Sequence, residues 1–349
     1  MTFGDRRWRA ILVLPILAAA ITLIVWRGPD WQLVHDAFTA VTWEWVAAAV
    51  GLNLLSVLTR AFAWDTAIKQ SIAPPHPKFP LVFSAFSVGL FGNAVLPGRV
   101  GEIARVAVLR RHLTNRKGTT ATLVGSVFAH RMFDLFPVVV LVIWVLFSAK
   151  IPGWALSSIG LVIAIGLALF LAAIVLARRQ NRESDELGRV RRLFVRGRQG
   201  LAIMRSPTAA ATAASFQFAG WLCQLLAVWA AMEAFDIHLP LAAAGLVLVL
   251  MNVATIFPLW PGNFGLLQIA IAFPLVNYKI AYAHGFAFGI GLQAIEASVG
   301  VGVGLIFLAR EGLSYATLRQ IEDEEPPDGS NDRLDEPPAA ADARARISG

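Results

Sequence analysis

Charge is scarce in this chain. Only 15% of its 349 residues are Asp, Glu, Lys or Arg, against 57% apolar. Several apolar stretches exceed the roughly 18–20 residues needed to cross a bilayer, which makes it an integral membrane protein. Cysteine is almost absent. The single one, Cys223, cannot form an intramolecular disulfide or build a metal cluster. His35, His76, His112, His238 and His284 are too scattered for a metal site. No cofactor is expected. Acids are the scarcer sign, leaving a net charge of +7. That excess does not indicate nucleic acid as a partner. The arginines cluster between apolar segments, as the positive-inside rule requires.

Full spans are predicted at about 10–26, 43–64, 119–147, 155–177, 208–233 and 282–309. The first, Ala10 to Val25 after Arg6-Arg7-Trp8-Arg9, resembles a signal peptide. An uncleaved span is favoured, because the run meets Trp26 and many spans follow. Trp26, Trp43, Trp45, Trp64, Trp154 and Trp260 fall near proposed ends or breaks, as an aromatic belt predicts.

Two further apolar segments, about 80–110 and 240–276, are interrupted in mid-run. Leu96-Pro97-Gly98-Arg99-Val100-Gly101 recurs as Trp260-Pro261-Gly262-Asn263-Phe264-Gly265, with the prolines 164 positions apart. A Pro-Gly step ends a helix, since Pro lacks an N–H and Gly tolerates unusual backbone angles. Inside a membrane the freed backbone groups must be buried in protein or face a wet cavity. Paired breaks in two halves point to a transporter binding site.

Charge placement suggests the topology. The segment 178–205 carries nine arginines, and 97–117 is also basic. The loops 27–42, 148–154 and 234–240 hold few basic residues and are expected outside. Re-entrant segments turning at the two breaks put every basic cluster on the cytoplasmic side, along with both termini. Shifting 43–64 and 119–147 by 164 lands close to 208–233 and 282–309 in the opposite direction. The expected fold is thus an all-α polytopic membrane protein. It is an inverted-topology repeat with two re-entrant broken helices and about six full spans. The membrane domain is 1–313, with halves of about 10–147 and 155–310. The acidic, Pro-rich segment 314–349 reads as a disordered cytoplasmic tail.

Asn93-Ala94-Val95-Leu96-Pro97-Gly98-Arg99-Val100-Gly101-Glu102-Ile103-Ala104-Arg105 resembles the signature of the lysylphosphatidylglycerol synthase transmembrane-region, or flippase-like, family. Arg60 with Trp64, His130-Arg131-Met132-Phe133-Asp134 and Pro258-Leu259-Trp260-Pro261-Gly262-Asn263-Phe264-Gly265 support it. The resemblance covers about 10–310. It implies lipid handling in the bacterial cell envelope, tied to anionic or polyprenyl-phosphate lipids. Without an aminoacyl-transferase half, synthesis of lysyl lipid is not expected. The family usually places a glutamate after the second Pro-Gly motif, where this chain has Gln268.

Several polar residues fall at membrane depth, where they are costly and usually face a bundle interior or wet cavity. Arg131 and Asp134 share a helix face. They form either a structural ion pair or a phosphate-binding arginine with its orienting carboxylate. Glu296 has no basic neighbour in sequence and must pair across helices or serve proton or cation coupling. Arg99, Glu102 and Arg105 follow the first break at spacings of three. They could sit on a half-helix whose N-terminus favours anions, with arginine adding bidentate phosphate recognition. Plain pairing of Glu102 with an arginine is the alternative. Asn93, Asn252, Asn263 and Gln268 offer neutral hydrogen bonds around the breaks, to a ligand or to freed backbone. Arg60 either joins the cavity or snorkels to the interface. His130 reads as a satisfied interhelical histidine. The cluster 178–205 reads as a topology determinant touching anionic lipid.

Three functions fit. The first is a non-enzymatic translocase for an anionic or polyprenyl-phosphate-linked lipid. The second is a membrane transferase on a polyprenyl-phosphate lipid, or an accessory to a separate lipid synthase or glycosyltransferase. The third is a small-solute transporter.

Overall fold

The computed structural model describes residues 29–72, 74–95, 100–113, 119–151, 203, 206–255 and 263–310, with Gly153, Ser157 and Gly160 as isolated positions. Among the described residues the secondary structure is helical, without strands. The expected span 10–26, most of 155–177, both Pro-Gly steps and the tail 314–349 lie outside them.

Four long helices are apolar and long enough to cross a membrane: α2 (Trp43–Ser71), α5 (Thr119–Ser148), α6 (Pro207–Ala234) and α9 (Tyr282–Arg310). Each covers a span expected from sequence. Between them lie two pairs of short helices. α3 (Phe79–Val95) and α4 (Gly101–Arg111) flank the first break, and α7 (Leu241–Ala254) and α8 (Leu266–Val276) flank the second. Their lengths, 17, 11, 14 and 11 residues, fall short of the roughly 20 that cross a bilayer.

Three expectations change. The stretch 27–42 is not a plain loop, because it holds α1 (Trp31–Thr39). Asp30 caps it, its carboxylate accepting from the backbone N–H of Gln32 at 3.0 Å and Leu33 at 3.4 Å. α2 runs on to Ser71 instead of ending near 64. Its last turns are polar but still helical, with Asp65 and Lys69 paired one turn apart at 2.6 Å. Trp64 is therefore no interface residue. It is fully buried.

α2 and α6 form the central antiparallel pair. The N–H of Thr42, at the start of α2, donates to the Ala234 carbonyl at the end of α6. Mid-helix, Ser56 Oγ donates to the Gly220 carbonyl at 2.8 Å, and Phe62 stacks on Phe216 beyond it. Close approach needs a small residue there: a Cβ on Gly220 would lie 2.8 Å from Arg60 Cγ. One core gathers α2 to α5 around Trp64, Phe86 and Leu109, joined by Val299 and Leu308 of α9. A second gathers α6 to α9 around Met232, Leu248 and Ile271, joined by α1, the start of α2 and the end of α5. α5 turns an apolar stripe outward: Val124, Phe128, Leu135, Val139, Ile143 and Phe147 are exposed at helical spacing, as hydrocarbon contact demands.

Candidate functional site

The first break brings α4 against α3 so closely that a Cβ on Gly89 would sit 2.8 Å from the Gly101 carbonyl. Asn93, two residues before the end of α3, accepts the Gly101 N–H on its Oδ1 at 3.0 Å. This satisfies a donor that the start of a helix leaves free. With the backbone so fixed, Glu102 and Arg105 stand one turn apart on α4, ion-paired with each other. Glu102 is also ion-paired with Arg131 of α5. Arg131 Nη1 donates in turn to Asp134 Oδ2 at 3.0 Å. Asp134 Oδ1 accepts from α6 as well, from Gln217 Nε2 at 2.6 Å and Trp221 Nε1 at 3.0 Å. Two helices thus share one alternating ion network, Arg105, Glu102, Arg131 and Asp134, which Gln217 and Trp221 tie to a third.

The two arginines differ sharply in setting. The Arg105 side chain is 3% exposed. Its guanidinium lies 4.9 Å over the ring of Trp64 and 5.7 Å from that of Phe86, a favourable place for a buried cation. Trp64 is held by its indole N–H, which donates to Ser126 Oγ at 3.2 Å. Arg131 is 47% exposed and emerges beside Phe128, Met132 and Leu135 on the outward apolar stripe of α5. Its two carboxylates use only two of the five donors a guanidinium carries.

A second cluster lies alongside. Arg60 does not snorkel; it is eleven residues short of the end of α2 and turned inward. Its guanidinium sits 4.9 Å from the Trp221 ring centroid. Its Nη2 donates to Gln224 Oε1 at 2.7 Å. Gln224 Nε2 donates onward to Glu296 Oε1 at 3.3 Å. Glu296, at the middle of α9, thus accepts across helices from a neutral amide. His130 Nε2 donates to the Arg60 carbonyl at 3.2 Å, while its Nδ1 has no partner, so it is only half satisfied. Arg60 Nε and Arg105 Nε are also buried without a hydrogen-bond partner.

The second break is uncharged. Gln268 Oε1 accepts the Gly265 N–H at 2.6 Å, and its Nε2 donates to Gln293 Oε1 at 2.5 Å. Asn263 is buried, adopts φ 45°, and donates to the Ala254 carbonyl at 3.1 Å. Among the described residues, the Asn252 side chain bonds only its own helix, at the Leu248 carbonyl.

Of the site residues expected from sequence, Glu102, Arg105, Arg131 and Asp134 converge, with Asn93 as their backbone cap. Arg60 and Glu296 form the adjoining cluster. Asn263 and Gln268 stand apart at the second break, and Arg99 lies outside the described residues. Sequence reading missed Gln217, Trp221 and Gln224. Their spacing on one face of α6 was the available signal, as two amides and an indole in an otherwise apolar span. Among the described residues no three His, Cys, Asp or Glu side chains are placed to hold a metal ion.

With this geometry established, the sequence can be compared with known proteins. The family model of the lysylphosphatidylglycerol synthase transmembrane region matches residues 10–304. The chain belongs to that family. It is also similar to a UPF0104 membrane protein of Methanocaldococcus jannaschii, 24% identical over 204 residues, covering 57% of this chain and 84% of the archaeal one. No solved structure matches it. The chain is a multi-pass helical membrane protein of a family named for a lipid synthase.

Proposed function

We propose that this protein binds the headgroup of an anionic or polyprenyl-phosphate-linked lipid at Arg131 and carries it between leaflets. The observation that carries the reading is Arg131 itself. It is a half-exposed cation at mid-span, set in an outward apolar stripe and held from behind by Glu102 and Asp134. A charge facing hydrocarbon is costly unless something polar reaches it. A lipid reaches it with its acyl chains still in the bilayer, and a planar guanidinium matches a phosphate bidentately. A polar solute would have no reason to approach along an apolar face.

Alternating access would come from an inverted repeat, with re-entrant α3–α4 and α7–α8 pairs. Shifting α2 and α5 by 164 gives ranges within two residues of α6 and α9. Two hydrogen bonds, Ser56 to Gly220 and Arg60 to Gln224, join residues exactly one repeat apart at 164 positions. Contacts between residues and their own repeat mates are what a two-fold axis between α2 and α6 would generate. We place the protein in a bacterial cytoplasmic membrane with both termini inside. It acts there as a carrier without chemistry of its own, serving a separate lipid synthase or glycosyltransferase.

The test is native mass spectrometry of the detergent-purified full chain and of Arg131→Ala, followed by reconstitution with the lipid found. Retained anionic or polyprenyl-phosphate lipid, lost from folded Arg131→Ala, is expected, with headgroup flipping in vesicles that the variant lacks. Equal retention in both proteins sinks the arginine site. Retention without flipping leaves a lipid-binding accessory.

A further inference from the structure

Among the described residues, the middle of the bundle carries three arginines, Arg60, Arg105 and Arg131, and three carboxylates, Glu102, Asp134 and Glu296. Fully ionised, they balance. A lipid phosphate arriving at Arg131 adds a negative charge, and an uncompensated charge at low dielectric is expensive. The balance is restored if one carboxylate takes up a proton.

The three are not held equally. Glu102 is ion-paired with two arginines. Asp134 accepts from Arg131, Gln217 and Trp221. Glu296 accepts one hydrogen bond, from the neutral Gln224 amide, at 3.3 Å. Its protonation breaks no ion pair. The other helices packed on α9 bring few competing charges. α3 and α8 carry no titratable side chain. α2 presents Arg60, with Glu44, Asp65 and Lys69 toward its ends. α6 presents Cys223, with Glu233 near its end. α1 carries exposed His35 and Asp36, near Phe286. On α9 itself Tyr282, His284 and Arg310 lie at the ends.

Glu296 is also wired to the anion site. Gln224 links it to Arg60, the Arg60 guanidinium lies over Trp221, and Trp221 donates to the Asp134 that holds Arg131. We propose that Glu296 is the proton site of the transport cycle, gaining a proton when the anionic headgroup binds at Arg131 and losing it when the headgroup leaves. A proton passes from water to a Glu296 carboxylate oxygen and forms an O–H bond; no other bond changes. Lipid charge and proton then cross together, and a proton gradient biases the direction. The inference rests on the anion-site reading above.

The experiment mixes the purified full chain, in weakly buffered detergent at mildly alkaline pH, with water-soluble dihexanoyl-phosphatidylglycerol or farnesyl phosphate. Tryptophan fluorescence reads binding and a pH-indicator dye reads proton uptake. Wild type is expected to take up about one proton per lipid bound, as linkage between the two sites requires. Glu296→Gln mimics the protonated carboxyl, so at this pH it should bind at least about tenfold more tightly yet take up no proton. Glu296→Asp should restore uptake. Binding without uptake in wild type, or unchanged uptake in Glu296→Gln, overturns the proton site and leaves the anion site standing. Binding of neither lipid overturns both. Infrared difference spectra of the wild type test it independently of any variant's folding. With farnesyl phosphate, which has no carbonyl of its own, a carboxylic C=O band must appear on binding, and its absence refutes the proposal.

Discussion

The two breaks solve the same backbone problem, and only one of them adds charge. At each, a short helix starts with N–H groups that its own helix cannot use. At the first, Asn93 accepts from Gly101; at the second, Gln268 accepts from Gly265. Neutral amides suffice on both sides. Glu102, Arg105 and Arg131 therefore do not serve the backbone, and their bonds are to other side chains. The second break carries amide pairs, Gln268 with Gln293, in place of ions. Structural need explains the amides at both breaks, and the ion cluster at one of them is what the proposed headgroup site rests on.

Glu102→Leu is expected to have the largest effect. It strands Arg105 and frees Arg131, and removing one partner of a buried pair costs about 3–5 kcal/mol. Thermal unfolding in detergent measures this, and retained anionic lipid should fall with it. The matching change at the second break, Gln268→Leu, removes the cap on Gly265 and one partner of Gln293. A loss of about 1–3 kcal/mol is expected in the same assay, with lipid retention kept. Equal retention losses at both breaks would dissolve the contrast.

Gln268→Glu sharpens it. A carboxylate accepts the Gly265 N–H at a helix N-terminus, and the Gln293 amide can turn to donate. Because Gln268 is fully buried, stability should fall by about 1 kcal/mol or more, and the loss should grow with pH as the carboxyl ionises. If a charge there proves as costly as breaking the Glu102 cluster, the second break is intolerant of charge by design. Asn252→Leu is the smallest. Because the Asn252 side chain bonds only its own helix among the described residues, a shift within about 0.5 kcal/mol is expected and lipid retention should not move.

The four long helices and the two interrupted segments were legible in the sequence, because length and apolarity announce a span and Pro-Gly announces a break. The pairing of Arg131 with Asp134 was legible too, being three residues apart on one helix. Trp64 and Arg60 were not. A position near an expected helix end suggests an interface, and only the continuation of α2 to Ser71 moved both inward. α1 escaped because nine residues are too few to stand out by periodicity. Gln217, Trp221 and Gln224 were visible as polar residues at helical spacing in an apolar span, but their partner carboxylates were not.

The sequence by itself determined that this protein crosses a membrane repeatedly, where its helices break, and which side chains sit expensively at depth. Those are local consequences of bilayer thickness and of satisfying every backbone N–H. The tertiary structure alone decided which charges meet. Glu102 finds Arg131 across 29 positions, Asp134 finds Gln217 across 83, and Arg60 finds Gln224 across 164. Such partners depend on how each helix is rotated and how closely small residues let neighbours approach, and no stretch of sequence contains that information.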